Sequence, residues 1–102
     1  MRTNKQIIQI RMGLKSGADQ MAVFKILGDA NRYHIFEMLG KQPQLTVSDI
    51  AKVLKISIPL ASQHLKILEH GGLLQKEKRG QKVYYKLRTD NRIAQAITKG
   101  II

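Results

Sequence analysis

The chain has 102 residues, with 43% hydrophobic and 25% charged residues, which suits one folded domain with a modest core. Eighteen Lys and Arg stand against seven Asp and Glu, a formal net charge of +11. Such an excess attracts polyanions, nucleic acid first and an anionic membrane surface second. The absence of cysteine excludes disulfides, thiolate metal sites and thiol redox switches.

The elements follow in chain order. No apolar run approaches the roughly 18 residues a membrane span needs. The opening stretch, broken by Gln9 and Arg11, reads as neither a signal sequence nor an anchor. A cytoplasmic location without membrane contact is the simplest expectation. Residues 4–14 carry Ile7, Ile8, Ile10, Met12 and Leu14, and are expected to form a short helical arm interrupted at Gly13, Ser16 and Gly17. Residues 18–27 form a second helix with Met21, Phe24 and Leu27 on one face. Gly28-Asp29 closes it and supplies the next N-cap.

Residues 31–39 form a helix with Tyr33, Ile35, Phe36 and Leu39 as its core face and Gly40 as its C-cap. After a loop through Leu45, residues 47–55 read as a helix with Ile50, Val53 and Leu54 inward. Ile56-Ser57 makes a tight turn, with Ser57 as N-cap and Pro59 in the first turn of a helix over 58–69. Ala61, Leu65 and Leu68 give that helix one buried stripe.

The period then changes from helical to alternating. Residues 74–78 and 81–88 flank Arg79-Gly80, with Val83, Tyr85 and Leu87 on one face and Lys82, Tyr84, Lys86 and Arg88 on the other. This is a β-hairpin with a basic tip. Residues 90–99 resume a helical pattern. The fold class is therefore mainly α with a small β-hairpin, a winged helix-turn-helix of order α-α-α-α-β-β-α. It is read as a single domain over 1–102, with 1–20 and 90–102 as dimerisation arms.

The helix over 58–69 is the candidate reading head. Its inward stripe leaves Pro59, Leu60, Ser62, Gln63 and Lys66 outward. Gln can bond adenine bidentately, Ser can donate to a base or phosphate, and Lys reaches guanine or phosphate. Pro59 and Leu60, being apolar, suit thymine methyls or sugars. The hairpin tip Lys78-Arg79-Gly80-Gln81-Lys82 is placed to reach phosphates or an adjacent minor groove. Charge is segregated accordingly: nine basic against two acidic residues over 51–88, but three against four over 17–50. The alternative is a solvated basic surface, and for Tyr84 a structural role in the ribbon.

With these elements in place, the chain resembles the ArsR/SmtB family of winged-helix repressors. The likeness rests on FKILGDANRYHIFEMLG, on TVSDIAKVLKISIPLASQHLKILEHGGLL, and on the wing-like KEKRGQKVYYKL, spanning roughly residues 22–90. It implies a homodimer joined through first and last helices, binding a near-palindromic operator and repressing transcription. The expected DNA contacts are Ser57, Pro59, Leu60, Ser62, Gln63, His64 and Lys66 on the helix, and Lys78, Arg79, Gly80, Gln81 and Lys82 on the wing. The expected dimer seam is Ile7, Ile10, Leu14, Ile93, Ile97 and Ile101, although each could instead complete the monomer core.

The chain departs from that family where many members hold metal. Leu45-Thr46-Val47-Ser48-Asp49 has no thiol, and the last helix has Asp90 but no histidine. Metal sensing at those sites is not expected, and neither a cofactor nor a catalytic residue is assigned. Of the three histidines, His64 is expected to pack or touch phosphate, His70 to cap its helix end, and His34 to lie at the surface. No Gly-rich phosphate loop, Ser/His/Asp set or convergent carboxylate pair points to an enzyme. The competing function is a winged helix used for protein interaction or as a nonspecific architectural DNA binder.

Overall fold

The structure, a computed structural model, describes residues 1–100 apart from the side chains of 13–19. Of the expected seam residues, the Leu14 side chain and Ile101 lie outside that description. The chain forms α1 (Asn4–Leu27), α2 (Ala30–Lys41), β1 (Leu45–Thr46), α3 (Val47–Leu54), α4 (Ile58–His70), β2 (Leu74–Arg79), β3 (Lys82–Leu87) and α5 (Arg92–Thr98).

Side-chain caps set most helix starts. Thr3 accepts from the Gln6 N–H at 3.2 Å while the Gln6 side chain accepts from the Thr3 N–H at 2.8 Å, a reciprocal capping box for α1. Thr46 and Asp49 repeat the device on α3, at 3.2 and 3.0 Å. Asp29 caps α2, Ser57 caps α4 and Asn91 caps α5. Each cap is worth about 1 kcal/mol.

The boundaries differ most from the sequence reading in α1 and α2. The expected break after residue 14 is absent, and α1 is one 24-residue helix. A helical Gly costs only about 1 kcal/mol relative to Ala and, unlike Pro, leaves the hydrogen-bond ladder intact. Gly40 does not cap α2. The helix runs two residues further than expected, to Lys41, with Gln42 as its C-cap, whose N–H donates to the Met38 carbonyl at 2.8 Å.

The hairpin is part of a three-stranded antiparallel sheet of order β1-β3-β2. Leu45 lies opposite Tyr85, Leu74 opposite Leu87 and Arg79 opposite Lys82. The two-residue turn is thus Gly80-Gln81, one residue later than the expected Arg79-Gly80, with Gly80 at φ +61°, a backbone state glycine adopts without steric cost. Strand β1 has no signature in the sequence, because two residues show no period.

The core lies where α2, α3, α4 and the sheet meet. Ile35, Ile50, Leu65, Leu68, Leu73 and Leu74 are its largest fully buried side chains. Removing each from water contributes about 1.5–3 kcal/mol. Two residues expected in the core, Tyr33 and Val53, are instead exposed, and so are Met21 and Phe24 of the face expected on α1. The buried stripes run through Ile35, Phe36 and Leu39 on α2 and through Ile50 and Ala51 on α3, and at 3.6 residues per turn Tyr33 and Val53 each fall about 110° around the helix from the stripe's centre. On α1, Val23 is buried, with Ile26 and Leu27 packed against the core, so Met21 and Phe24 face outward.

Candidate nucleic-acid interface

Helices α3 and α4 form the helix-turn-helix. The link is Lys55-Ile56-Ser57, and Lys55 sits in the left-handed region at φ 56°, ψ 44°. Its N–H and that of Ile56 return to carbonyls of α3, so the turn is tight. Ser57 Oγ then accepts from the Leu60 N–H at 3.2 Å, and Pro59 occupies a position whose N–H would have had no helical partner.

The inward side of α4 carries Ala61, His64, Leu65 and Leu68. On a helical wheel the opposite side centres on Pro59, Gln63 and Lys66, all exposed, with Leu60 on one flank and half-buried Ser62 on the other. Of the outward residues expected from the sequence, Pro59, Leu60, Gln63 and Lys66 are exposed and Ser62 is half-buried. His64, at 8% exposure, belongs to the inward side. Of the two roles open to it in sequence, packing is the one its position supports.

The burial of His64 has a structural partner. Arg32 Nε donates to the Ile26 carbonyl at 2.7 Å, and its Nη1 lies 3.4 Å from His64 Nδ1. A guanidinium only donates, so this contact requires Nδ1 as acceptor and the ring proton on Nε2. Asp29 Oδ1 stands 3.9 Å from the same ring nitrogen, a contact that becomes an ion pair only on protonation. The Asp29 carboxyl also accepts from the Arg32 N–H at 3.1 Å. That backbone bond is the main reason its pKa lies below the ordinary aspartate value, with the Arg32 charge adding to it. Residues 29, 32 and 64 thus tie the α1–α2 corner to the inward side of α4, a role for Arg32 that has no trace in the sequence pattern.

The wing is less uniformly free than its sequence implies. Lys78 and Lys82 are exposed, as are Gly80 and Gln81. Arg79 is also exposed but engaged: Glu77 Oε1 accepts from its Nε and Nη2, both at 3.3 Å. Its guanidinium lies 6.0 Å from the Tyr84 ring centroid. The Gln44 amide, oriented with its oxygen toward Arg79, accepts from Nη1 and Nη2 at 3.2 and 3.0 Å. Lys86 Nζ lies 3.3 Å from the other Glu77 oxygen. Lys86 first and Arg79 second hold the Glu77 carboxyl below its ordinary value.

The expected seam residues divide. Ile7 and Ile10 on α1 are exposed at 43% and 48%, beside exposed Ile8. Ile93 and Ile97 on α5 are half-buried and pack against the core, so they serve the monomer at least in part. His34 is at the surface, 3.7 Å from Glu37, and His70 is exposed at the end of α4. Among the described residues no group of three His, Cys, Asp or Glu side chains could hold a metal ion, and no helix is long and apolar enough to cross a membrane.

Residues 29–76 match the family described as bacterial regulatory protein, arsR family. The chain is 34% identical over 84 residues to the cadmium resistance transcriptional regulatory protein CadC homolog of Staphylococcus aureus, covering 82% of this chain and 69% of that protein. It is 39% identical over 67 residues to the transcriptional repressor SdpR of Bacillus subtilis (strain 168), covering 66% of this chain and 73% of that one. Among solved structures, reduced HlyU from Vibrio cholerae N16961 superposes with a TM-score of 0.79 at 26% identity, covering 89% of this chain and 93% of HlyU.

Proposed function

The chain belongs to the arsR family of bacterial regulatory proteins, which are transcriptional regulators and not enzymes, and from that premise we propose that it is a homodimeric repressor in the cytoplasm that binds an inverted-repeat operator without sensing metal. One observation carries this reading. Helix α4 is anchored along one side by Ala61, His64, Leu65 and Leu68 and presents Pro59, Gln63 and Lys66 on the other, next to a wing with exposed Lys78 and Lys82. An anchored helix with polar outward residues near its N-terminus fits the major groove, while flanking cations neutralise phosphate.

The proposed base-reading residues are Pro59, Leu60, Ser62, Gln63 and Lys66, with Ser57 at the helix start. The wing contacts are Lys78, Gly80, Gln81 and Lys82, with Arg79 in reserve behind Glu77. His64 acts from behind, by holding the helix. Ile7 and Ile10 are proposed as the dimer seam, because one chain leaves them in water and a two-fold partner would cover both copies at once. The chain-wide lack of cysteine supports a regulator that works without the thiolate chemistry of metal sensing.

Selection from a randomised duplex library, followed by footprinting of the enriched sequence, tests the reading. The expected result is a protected inverted repeat whose affinity falls steeply with salt. Gln63→Ala should then weaken the enriched site by about 1–3 kcal/mol and leave competitor DNA nearly unaffected. Failure to enrich any sequence, with recovery of one stoichiometric protein partner, would instead support a protein-interaction module.

A further inference from the structure

We propose that the reading helix selects thymine through its C5 methyl group, with Leu60 as the specificity-determining side chain. This rests on the DNA-binding reading above and names the base chemistry that reading leaves open. Leu60 is 38% exposed, a large apolar side chain at the surface beside exposed Gln63 and Lys66, on a helix whose first turn also exposes Ile58 and Pro59. Its backbone is also fixed in place. Its N–H is bound to Ser57 Oγ, and Pro59 before it has a locked φ, so the first turn of α4 is set before any ligand arrives.

Leu60 has no hydrogen-bonding group and cannot recognise phosphate or a base amine or carbonyl. The apolar feature of the major groove is the thymine methyl. Gln63, one turn further along the same side, is suited to adenine N6 and N7, and the partner of that adenine shows its methyl in the same groove. The two residues therefore ask for the same type of base pair. Ile67 extends the stripe at i+7 from Leu60 but lies about 10 Å further from the helix start, away from the end that enters a groove. The surrounding charge, with exposed Lys52, Lys55 and Lys66 on the two helices, favours a polyanion over an apolar protein surface as the occupant.

The test uses the full chain and the duplex enriched from the randomised library. Each thymine is replaced in turn by uracil, which removes only the methyl. Loss of the contacted methyl should weaken binding about fourfold per half-site, and about fifteenfold when both copies are replaced. Leu60→Ala should bind the thymine duplex more weakly and become indifferent to uracil, whereas Ile67→Ala should keep the full uracil effect. An enriched duplex whose uracil forms all bind the unaltered protein as tightly as the thymine form would overturn this inference and leave the DNA reading standing. Failure to enrich any duplex would overturn both. An unchanged uracil effect in Leu60→Ala would assign the methyl contact to another residue and refute the role given to Leu60.

Discussion

Arg32 and His64 meet across the join between α2 and α4, with Nη1 3.4 Å from Nδ1, while the same guanidinium donates at 2.7 Å to the carbonyl of Ile26 at the end of α1. One side chain thus fastens three helices at the back of the reading element. Removing it strands a half-buried carbonyl and a buried imidazole.

Arg32→Ala should destabilise the fold by about 1–3 kcal/mol, the range for losing hydrogen bonds from a charged donor. Denaturant unfolding measures this directly. Arg32→Lys should recover little, because a single ammonium cannot reach both acceptors in the fixed fork of a guanidinium. A loss below about 0.5 kcal/mol would place the pair among the contacts of no energetic consequence.

Acid should unfold the protein partly through its helix caps. Asp29 and Asp49 both have depressed pKa values, chiefly because each accepts a backbone N–H, from Arg32 and Thr46 respectively. A carboxylate depressed in the folded state binds fewer protons there than in the unfolded chain. Its stabilisation is therefore complete above the ordinary aspartate value and fades as pH falls through the depressed one. Unfolding midpoints taken in steps from about pH 6 to about pH 2 should fall across that window. Asp29→Ala should cost about 1 kcal/mol at neutral pH and flatten the acid limb. An acid limb of unchanged slope in Asp29→Ala would remove this cap as a cause.

The wing carries its own restraint. Glu77 holds Arg79 on one side and Lys86 on the other. Glu77→Gln removes the negative charge while keeping the shape, so Arg79 gains freedom to reach phosphate. Affinity for nonspecific duplex should rise, and the slope of log K against log salt should steepen by up to about one unit. Lys78→Ala and Lys82→Ala should each flatten it by about one unit. A slope unmoved by Glu77→Gln would mean that Arg79 does not take part in binding.

Helix α1 provides the fourth prediction. Ile7→Asp and Ile10→Asp place charge on a face that one chain leaves exposed, so the monomer fold should tolerate both. If that face is a two-fold seam, each variant should sediment as a monomer at concentrations where the unaltered protein is a dimer. Dimers that survive both substitutions would move the seam elsewhere.

Much of this architecture is legible in the chain. The 58–69 stripe, the change of period at residue 74 and the alternation of Val83, Tyr85 and Leu87 are strong local signals, because each reflects a repeating burial pattern. What escaped has a physical reason. Strand β1 is two residues long and exists only because β3 pairs with it, a tertiary effect with no local trace. Tyr33 and Val53 are apolar and so read as inward, while the burial stripe passes beside them. The hold of Glu77 on Arg79 spans i and i+2 on one strand, where both side chains share a face, and was visible in principle. That of Arg32 on His64 joins residues 32 positions apart and was not.

Strand β1 stitches the stem of the helix-turn-helix to the middle strand of the wing, with Leu45 across from Tyr85 and Thr46 across from Tyr84. Thr46 is also the N-cap of α3, so the stitch ends where that helix begins. In the proposed function the two contacting parts therefore hang from one bracket, like the jaws of a calliper. A duplex whose local shape departs from their spacing would have to bend to be held, and the cost of adjustment would fall on the nucleic acid.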